Sequence, residues 1–204
     1  ALARDLGYTP LYLHYNSGRH ISTGGRELAA LLDELVGAWP VPLEELVLLG
    51  HSMGGLVARS AIHAGSVAGH RWPARVRALI CLSAPIGRLA RLRSAGVTDL
   101  RHGNLLDDDW AGADRFAHHD DRRTPVPLPV GVACYAIAGT TAAALDGRLP
   151  GDGLVPVDSA LGRHPQAARD LGFPVDHQWT SPATGHIELL SKPEVYAQLR
   201  AWLD

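Results

Sequence analysis

What the sequence has little of narrows it first. No stretch approaches the ~20 consecutive apolar residues that a helix needs to cross a bilayer, so no integral membrane segment is expected. Neither sign of charge dominates: 19 Lys and Arg stand against 21 Asp and Glu, a formal net charge of -2. Without a positive field to draw phosphate backbones, nucleic-acid binding finds no support. Only two cysteines occur, Cys81 and Cys134, each inside an apolar strand-like run. That is the setting of a small buried thiol rather than of a disulfide framework. The opening residues, "ALARDLGYTP", carry Arg4 and Asp5 where a signal peptide has its apolar centre, which favours the cytoplasm.

What is present is a chain of 204 residues, 46% hydrophobic and 20% charged, enough to bury one sizeable core. A single domain over residues 1–204 is expected, with a small molecule as its partner. Residues 9–14, 46–49, 76–82 and 131–138 read as strands, the later ones being continuous apolar runs that suit burial on both faces. Between them, Leu28, Leu31, Leu32, Leu35, Val36 and Trp39 recur at helical spacing until Pro40 and Pro42 stop the pattern, so this stripe should face a core. A second helix should follow Ser52. A third should open at "SKPE", with Ser191 as cap and Glu194 completing a capping box, and bury Leu199, Trp202 and Leu203. Strands alternating with helices through right-handed crossovers imply an α/β fold, a mostly parallel sheet with helices on both faces. Residues 86–130, which include "GNLLDDDWAGADRFAHHDDRRTPVPLP", lack such periodicity. They read as an irregular cap or loop between a strand ending near Pro85 and one starting near Gly131.

Chemistry concentrates in "LVLLGHSMGGLVARSAI". Gly50, Ser52 and Gly54 match G-x-S-x-G, between an apolar strand and a helical pattern, with Gly55 doubling the second glycine. A serine on such a strand-to-helix turn sits in a strained backbone conformation that presents its hydroxyl outward, and glycine at the flanking positions 50 and 54 lets strand and helix approach. The helix start adds a positive dipole end and free N–H groups, so the Met53 amide is the natural donor to a developing oxyanion. The plainer alternative is a glycine-rich turn with a passive serine. His51 lies between Gly50 and Ser52; its side chain points away from its neighbour's, so packing or hydrogen bonding at the elbow suits it better than acting as base.

A serine hydroxyl is a poor nucleophile at neutral pH and needs a base and an acid that orients the base. In this class of fold they follow the serine in the order Ser, Asp or Glu, His. His186, in "SPATGHIELL", stands on a glycine-containing loop between a strand-like segment and the last helix, where the base belongs; His177 is the nearby rival. For the acid, "LPGDGLVPVDSA" presents Asp152 between two glycines, in a turn that aims a carboxylate inward. Asp146 and Asp158 are the alternatives, although an Asp-Gly pair such as Asp146-Gly147 is ordinarily just a turn. His118, His119, Asp120 and Asp121 mix metal-ligating types, and Asp107 to Asp109 suggest calcium. Neither set has ligand spacing, so both read as solvated loop and no metal is expected.

The stretches "YNSGRHIS", "GHSMGGLVARSA", "RSAGVTDLRHGN", "GDGLVPVDSALG" and "GHIELLSKPEVYAQL" resemble the α/β-hydrolase superfamily, and within it the bacterial lipase and esterase branch related to PGAP1-like hydrolases. The resemblance implies hydrolysis of carboxylic esters, with a small-molecule or lipid ester as substrate, Ser52, Asp152 and His186 as the triad and no cofactor or metal. Two departures stand out. Such enzymes carry an earlier strand, between those at residues 9–14 and 46–49, whose "HG"-type loop supplies the second oxyanion donor. That donor is not in this chain, so the numbering is expected to omit N-terminal residues, and an intact mass above 21.8 kDa would bear on this. After "LICLSAP" the chain runs straight to "IGRLARLRSAG" where relatives continue into a longer cap. Acyl transfer or thioester hydrolysis on the same triad, and a non-catalytic binding module on the same fold, remain open at this stage.

Overall fold

The computed structural model describes residues 2–19, 21–84, 126–165 and 167–204. Its strands β1 (Leu46–His51), β2 (Val76–Leu82), β3 (Ala133–Gly139) and β4 (Gln178–Ser181) form one sheet in the order β1-β2-β3-β4, every neighbouring pair parallel. Around it lie helices α1 (Leu2–Leu6), α2 (Ile21–Ala38), α3 (Met53–Val67), α4 (Val157–Ala160) and α5 (Pro193–Leu203). The α/β class expected from the strand and helix alternation is what the chain adopts.

Alternation along β2 and β3 feeds two cores, since successive side chains leave a strand on opposite faces. Leu79, Cys81, Cys134, Ala136 and Ala138 pack with Ala29 and Leu32 of α2 and Ala58, Ala61 and Ile62 of α3. Ala78, Ile80, Leu82, Tyr135 and Ile137 pack with Val195, Leu199 and Leu203 of α5 on the other face. With both faces covered, Leu79, Ile80 and Ile137 are fully buried, each contributing roughly 1.5–3 kcal/mol of transfer free energy. Helices α2 and α3 approach closely because Gly25 has no side chain: a Cβ there would meet Ser60 Oγ at 2.3 Å. Trp72 Nε1–H, fully buried, donates to the Ala29 carbonyl at 3.0 Å and locks the 3-10 turn Trp72–Arg75 onto α2.

Several boundaries differ from the sequence expectation. Residues 9–14 form no strand. A strand exists by pairing, Pro10 has no N–H to pair, and this segment lines the far side of a cleft of about 1230 Å³ that runs along the outer edge of β1. Strand β3 begins two residues later than residue 131, because Gly131 takes a positive φ of 78°. Helix α2 starts earlier than the leucine stripe, at Ile21, and its buried face runs through Thr23, Gly24, Gly25, Ala29 and Leu32. Leu31 falls off that face and is 47% exposed. Helix α5 is not capped by Ser191: Lys192 takes the cap position and Pro193 the first helical one, where the absent proline N–H loses nothing. Ser191 instead closes the preceding turn, its N–H donating to the Glu188 carbonyl. Nearly all of the expected cap at 86–130 lies outside the described residues.

Candidate active site

Strand β1 ends at His51 and α3 begins at Met53, so Ser52 is the single residue in which the chain reverses. It does so at φ 53° and ψ -128°, a region that costs a non-glycine residue on the order of 1–3 kcal/mol. The conformation is held from both sides, by Ser52 N–H donating to the Leu82 carbonyl at 2.8 Å and Gly55 N–H donating to the Ser52 carbonyl at 3.1 Å. Two glycines make the turn sterically possible. A Cβ on Gly50 would lie 2.4 Å from Gly55 N, and one on Gly55 would lie 2.8 Å from the Ala84 Cβ. Gly54 is not one of them: nothing described lies within 4 Å of a Cβ there. The close approach assigned to Gly54 by the motif therefore belongs to Gly55. The Ser52 side chain makes no capping bond to α3, and the first-turn N–H of Met53 has no intrahelical acceptor.

Asp152 sits in a turn built by its two neighbours. Gly151 has φ 86° and Gly153 φ 94°, both in the left-handed region that favours glycine, and a Cβ on Gly151 would strike the Val155 carbonyl oxygen at 2.2 Å. The turn folds the carboxylate back so that Oδ1 accepts from Leu154 N–H at 2.9 Å and Val155 N–H at 2.7 Å. Oδ2 faces His186 Nδ1 at 2.7 Å. The side chain is fully buried, which by itself pushes its pKa up. The Val155 amide, the His186 ring, the Ser83 hydroxyl and the Leu154 amide together outweigh burial and hold it below the ordinary carboxylate value.

His186 follows β4 on a loop tied down at several points. Its N–H donates to the Asp152 carbonyl at 3.1 Å, Gly185 N–H donates to Glu188 Oε2 at 2.6 Å, and Lys192 Nζ donates to the Pro182 carbonyl and to Thr184 Oγ1. An ionised carboxylate only accepts, so Nδ1 of His186 is the donor in this contact. The side chain is 11% exposed. Contact between the Ser52 turn and the His186 loop runs through His51: its Nε2 lies 2.9 Å from the His186 carbonyl oxygen, and the two rings are 4.6 Å apart between centroids. Burial depresses the His51 pKa, opposed by that carbonyl.

The structure thus gathers Ser52, Met53, His51, Asp152 and His186 at the C-terminal ends of β1, β3 and β4, the end of a parallel sheet where α/β proteins hold ligands. The alternatives fall elsewhere. Asp146 is exposed, Asp158 on α4 turns an exposed side chain to Arg163 at 3.5 Å, and His177 packs its ring tilted against Tyr135 while its Nδ1 meets the Cys134 carbonyl. The groups at 107–109 and 118–121 lie outside the described residues. Sequence reasoning missed Ser83. It takes φ 41° just past β2, is completely buried, accepts Gly139 N–H on Oγ at 3.2 Å and stands beside the Asp152 carboxylate. Its one signal was a polar residue ending the apolar run "LICLS" at the sheet end that carries the site.

Among curated proteins none matches the chain significantly. Residues 34–123, which run from within α2 through the elbow and β2, match the family model described as PGAP1-like alpha/beta domain, and the parallel sheet with helices around it is consistent with an α/β-hydrolase-like fold.

Proposed function

We propose that this protein is a serine hydrolase that cleaves carboxylic esters through an acyl-enzyme on Ser52. The observation that carries the reading is the 2.7 Å contact of His186 Nδ1 with the fully buried Asp152 carboxylate, on a loop bonded through its His186 carbonyl to His51, the residue that precedes the strained Ser52 at the helix start. In this reading Ser52 Oγ attacks the ester carbonyl carbon while its proton passes to His186 Nε2. Asp152 stabilises the resulting imidazolium without taking the proton, and the Met53 N–H donates to the carbonyl oxygen as it becomes an oxyanion. The tetrahedral species expels the alcohol, which leaves with the proton from His186. Water then attacks the acyl-enzyme, His186 taking its proton and returning it to Ser52 as the acid departs.

An active-site-directed fluorophosphonate should label the wild-type chain at Ser52, and a p-nitrophenyl ester series from acetate to palmitate should reveal turnover and its acyl preference. Ser52→Ala should lose labelling and roughly 10⁶-fold in kcat while its Tm stays within a few degrees. Turnover surviving in that variant would end the proposal, and an unlabelled wild type would favour a non-catalytic binding role.

A further inference from the structure

We infer that His51 is a positioning residue, which clamps the His186 loop to the nucleophile elbow by donating its Nε2–H to the main-chain carbonyl of the base. The inference rests on the triad reading for its catalytic consequence, and on geometry for the clamp itself. Residues 51 and 186 are 135 positions apart, and the bond between them spans 2.9 Å.

A carbonyl oxygen can only accept, so His51 must carry its proton on Nε2. Burial works against a second proton on the ring, so the clamp is held as a neutral imidazole. That matters because the neighbouring ring, 4.6 Å away, is the one that turns cationic when it takes the serine proton. A lysine or arginine in place of His51 could make a similar hydrogen bond but would oppose that charge.

Three bonds then define where His186 sits. Its N–H and its Nδ1–H both go to Asp152, at 3.1 Å and 2.7 Å, and these fix the base to the acid but not to the nucleophile. The third, from the carbonyl to His51, refers the base to β1, whose next residue is Ser52. His51 is itself held in register, its Cα paired with Leu82 of β2, and the tilted ring leaves His186 a wall to rest against. Without the clamp, the loop at 182–187 would still bind Asp152 but could drift relative to Oγ, and a displacement near 1 Å is worth roughly 100-fold in rate.

The test uses the full chain with three substitutions. His51→Phe keeps a ring and removes the donor, His51→Met removes it with a side chain that can repack, and His51→Gln places an amide N–H near the original Nε2. Phe and Met should lower kcat on a p-nitrophenyl ester roughly 10- to 100-fold with KM changed less than about threefold, and Gln should recover most of the loss. Should Phe unfold the chain, Met and Gln alone decide. Amide hydrogen exchange of residues 182–190 reads the clamp without catalysis: it should quicken in Met and Phe and return toward wild type in Gln. Full activity in Met or Phe, or exchange unchanged in all three, would overturn the inference. A wild type that neither turns over nor labels, with exchange responding as described, would leave the clamp standing and remove the triad reading.

Discussion

Asp152→Asn is the substitution whose outcome can be worked furthest. In the wild type Oδ1 accepts two amide protons, from Leu154 and Val155, and Oδ2 accepts one from His186. Asparagine has a single acceptor. The two amides claim it, because Gly151 and Gly153 hold the turn in place, and the side-chain NH2 is left facing His186 Nδ1. An N–H cannot accept, so the imidazole must turn its lone pair to Nδ1 and its proton to Nε2, the nitrogen that should receive the serine proton. Loss of the correct tautomer is worth roughly 10⁴ in kcat in such triads, which at ~1.36 kcal/mol per factor of ten is about 5.4 kcal/mol of transition-state stabilisation. The assay is kcat/KM on p-nitrophenyl butyrate, with Asp146→Asn and Asp158→Asn as exposed controls that should leave it unchanged. A value for Asp152→Asn within about tenfold of wild type, or an equal fall in Asp146→Asn, would refute the reasoning.

The same variant carries a stability signature. Burial alone would raise the Asp152 pKa, but the hydrogen bonds from Val155, His186, Ser83 and Leu154 hold it lower in the folded chain than when unfolded. A folded pKa below the unfolded one means that the ionised form stabilises the fold above an unfolded pKa of about 3.9. That contribution drains away as the pH falls through the folded value. The wild-type Tm should therefore fall more steeply than that of Asp152→Asn between about pH 5 and about pH 3, and parallel slopes would count against the ionised, bonded carboxylate.

Further predictions concern the scaffold. Gly55→Ala forces a Cβ to 2.8 Å from the Ala84 Cβ and 3.2 Å from Cys81 Sγ, and should destabilise by roughly 1–3 kcal/mol in a thermal melt. Gly54→Ala, with open space around its Cβ among the described residues, should leave Tm nearly unchanged; equal losses would show that the elbow packs differently. Burial pushes the Cys81 thiol up to about 11 and the Cys134 thiol up to about 12. Neither should react with a thiol-specific chromogenic disulfide at pH 8 until denaturant is added, whereas prompt labelling of the native chain would place them at the surface.

Parts of the fold were legible because their causes are local. The runs at residues 46–49 and 76–82 are apolar without interruption, as strands covered on both faces must be, and they became β1 and β2 with an error of two residues at one end. Helix α3 followed from the change of period after Ser52. Residues 9–14 have strand-like composition but no strand, since pairing is a property of neighbours and not of the segment. Strand β4, four residues of mixed polarity in "QWTS", has too short a pattern to delimit. The Leu31 and Ser191 expectations failed because which helix face is buried, and which residue caps, depend on what packs against the element.

The site divides along the same line. Motif chemistry pointed to Ser52, Asp152 and His186, because glycines beside a polar residue mark places where backbone shape matters more than packing. Sequence by itself determined the strand-turn-helix that strains Ser52 and the glycine pair that turns Asp152 inward, both consequences of conformations that only a few neighbouring residues control. Only the tertiary structure decided that Gly55 rather than Gly54 is the tight contact, that Asp152 rather than Asp146 or Asp158 meets His186, and that Ser83 and His51 brace the pair. Each of those depends on distances between segments dozens to more than a hundred residues apart, which are set by how the strands stack into one sheet and by nothing in any single stretch of chain.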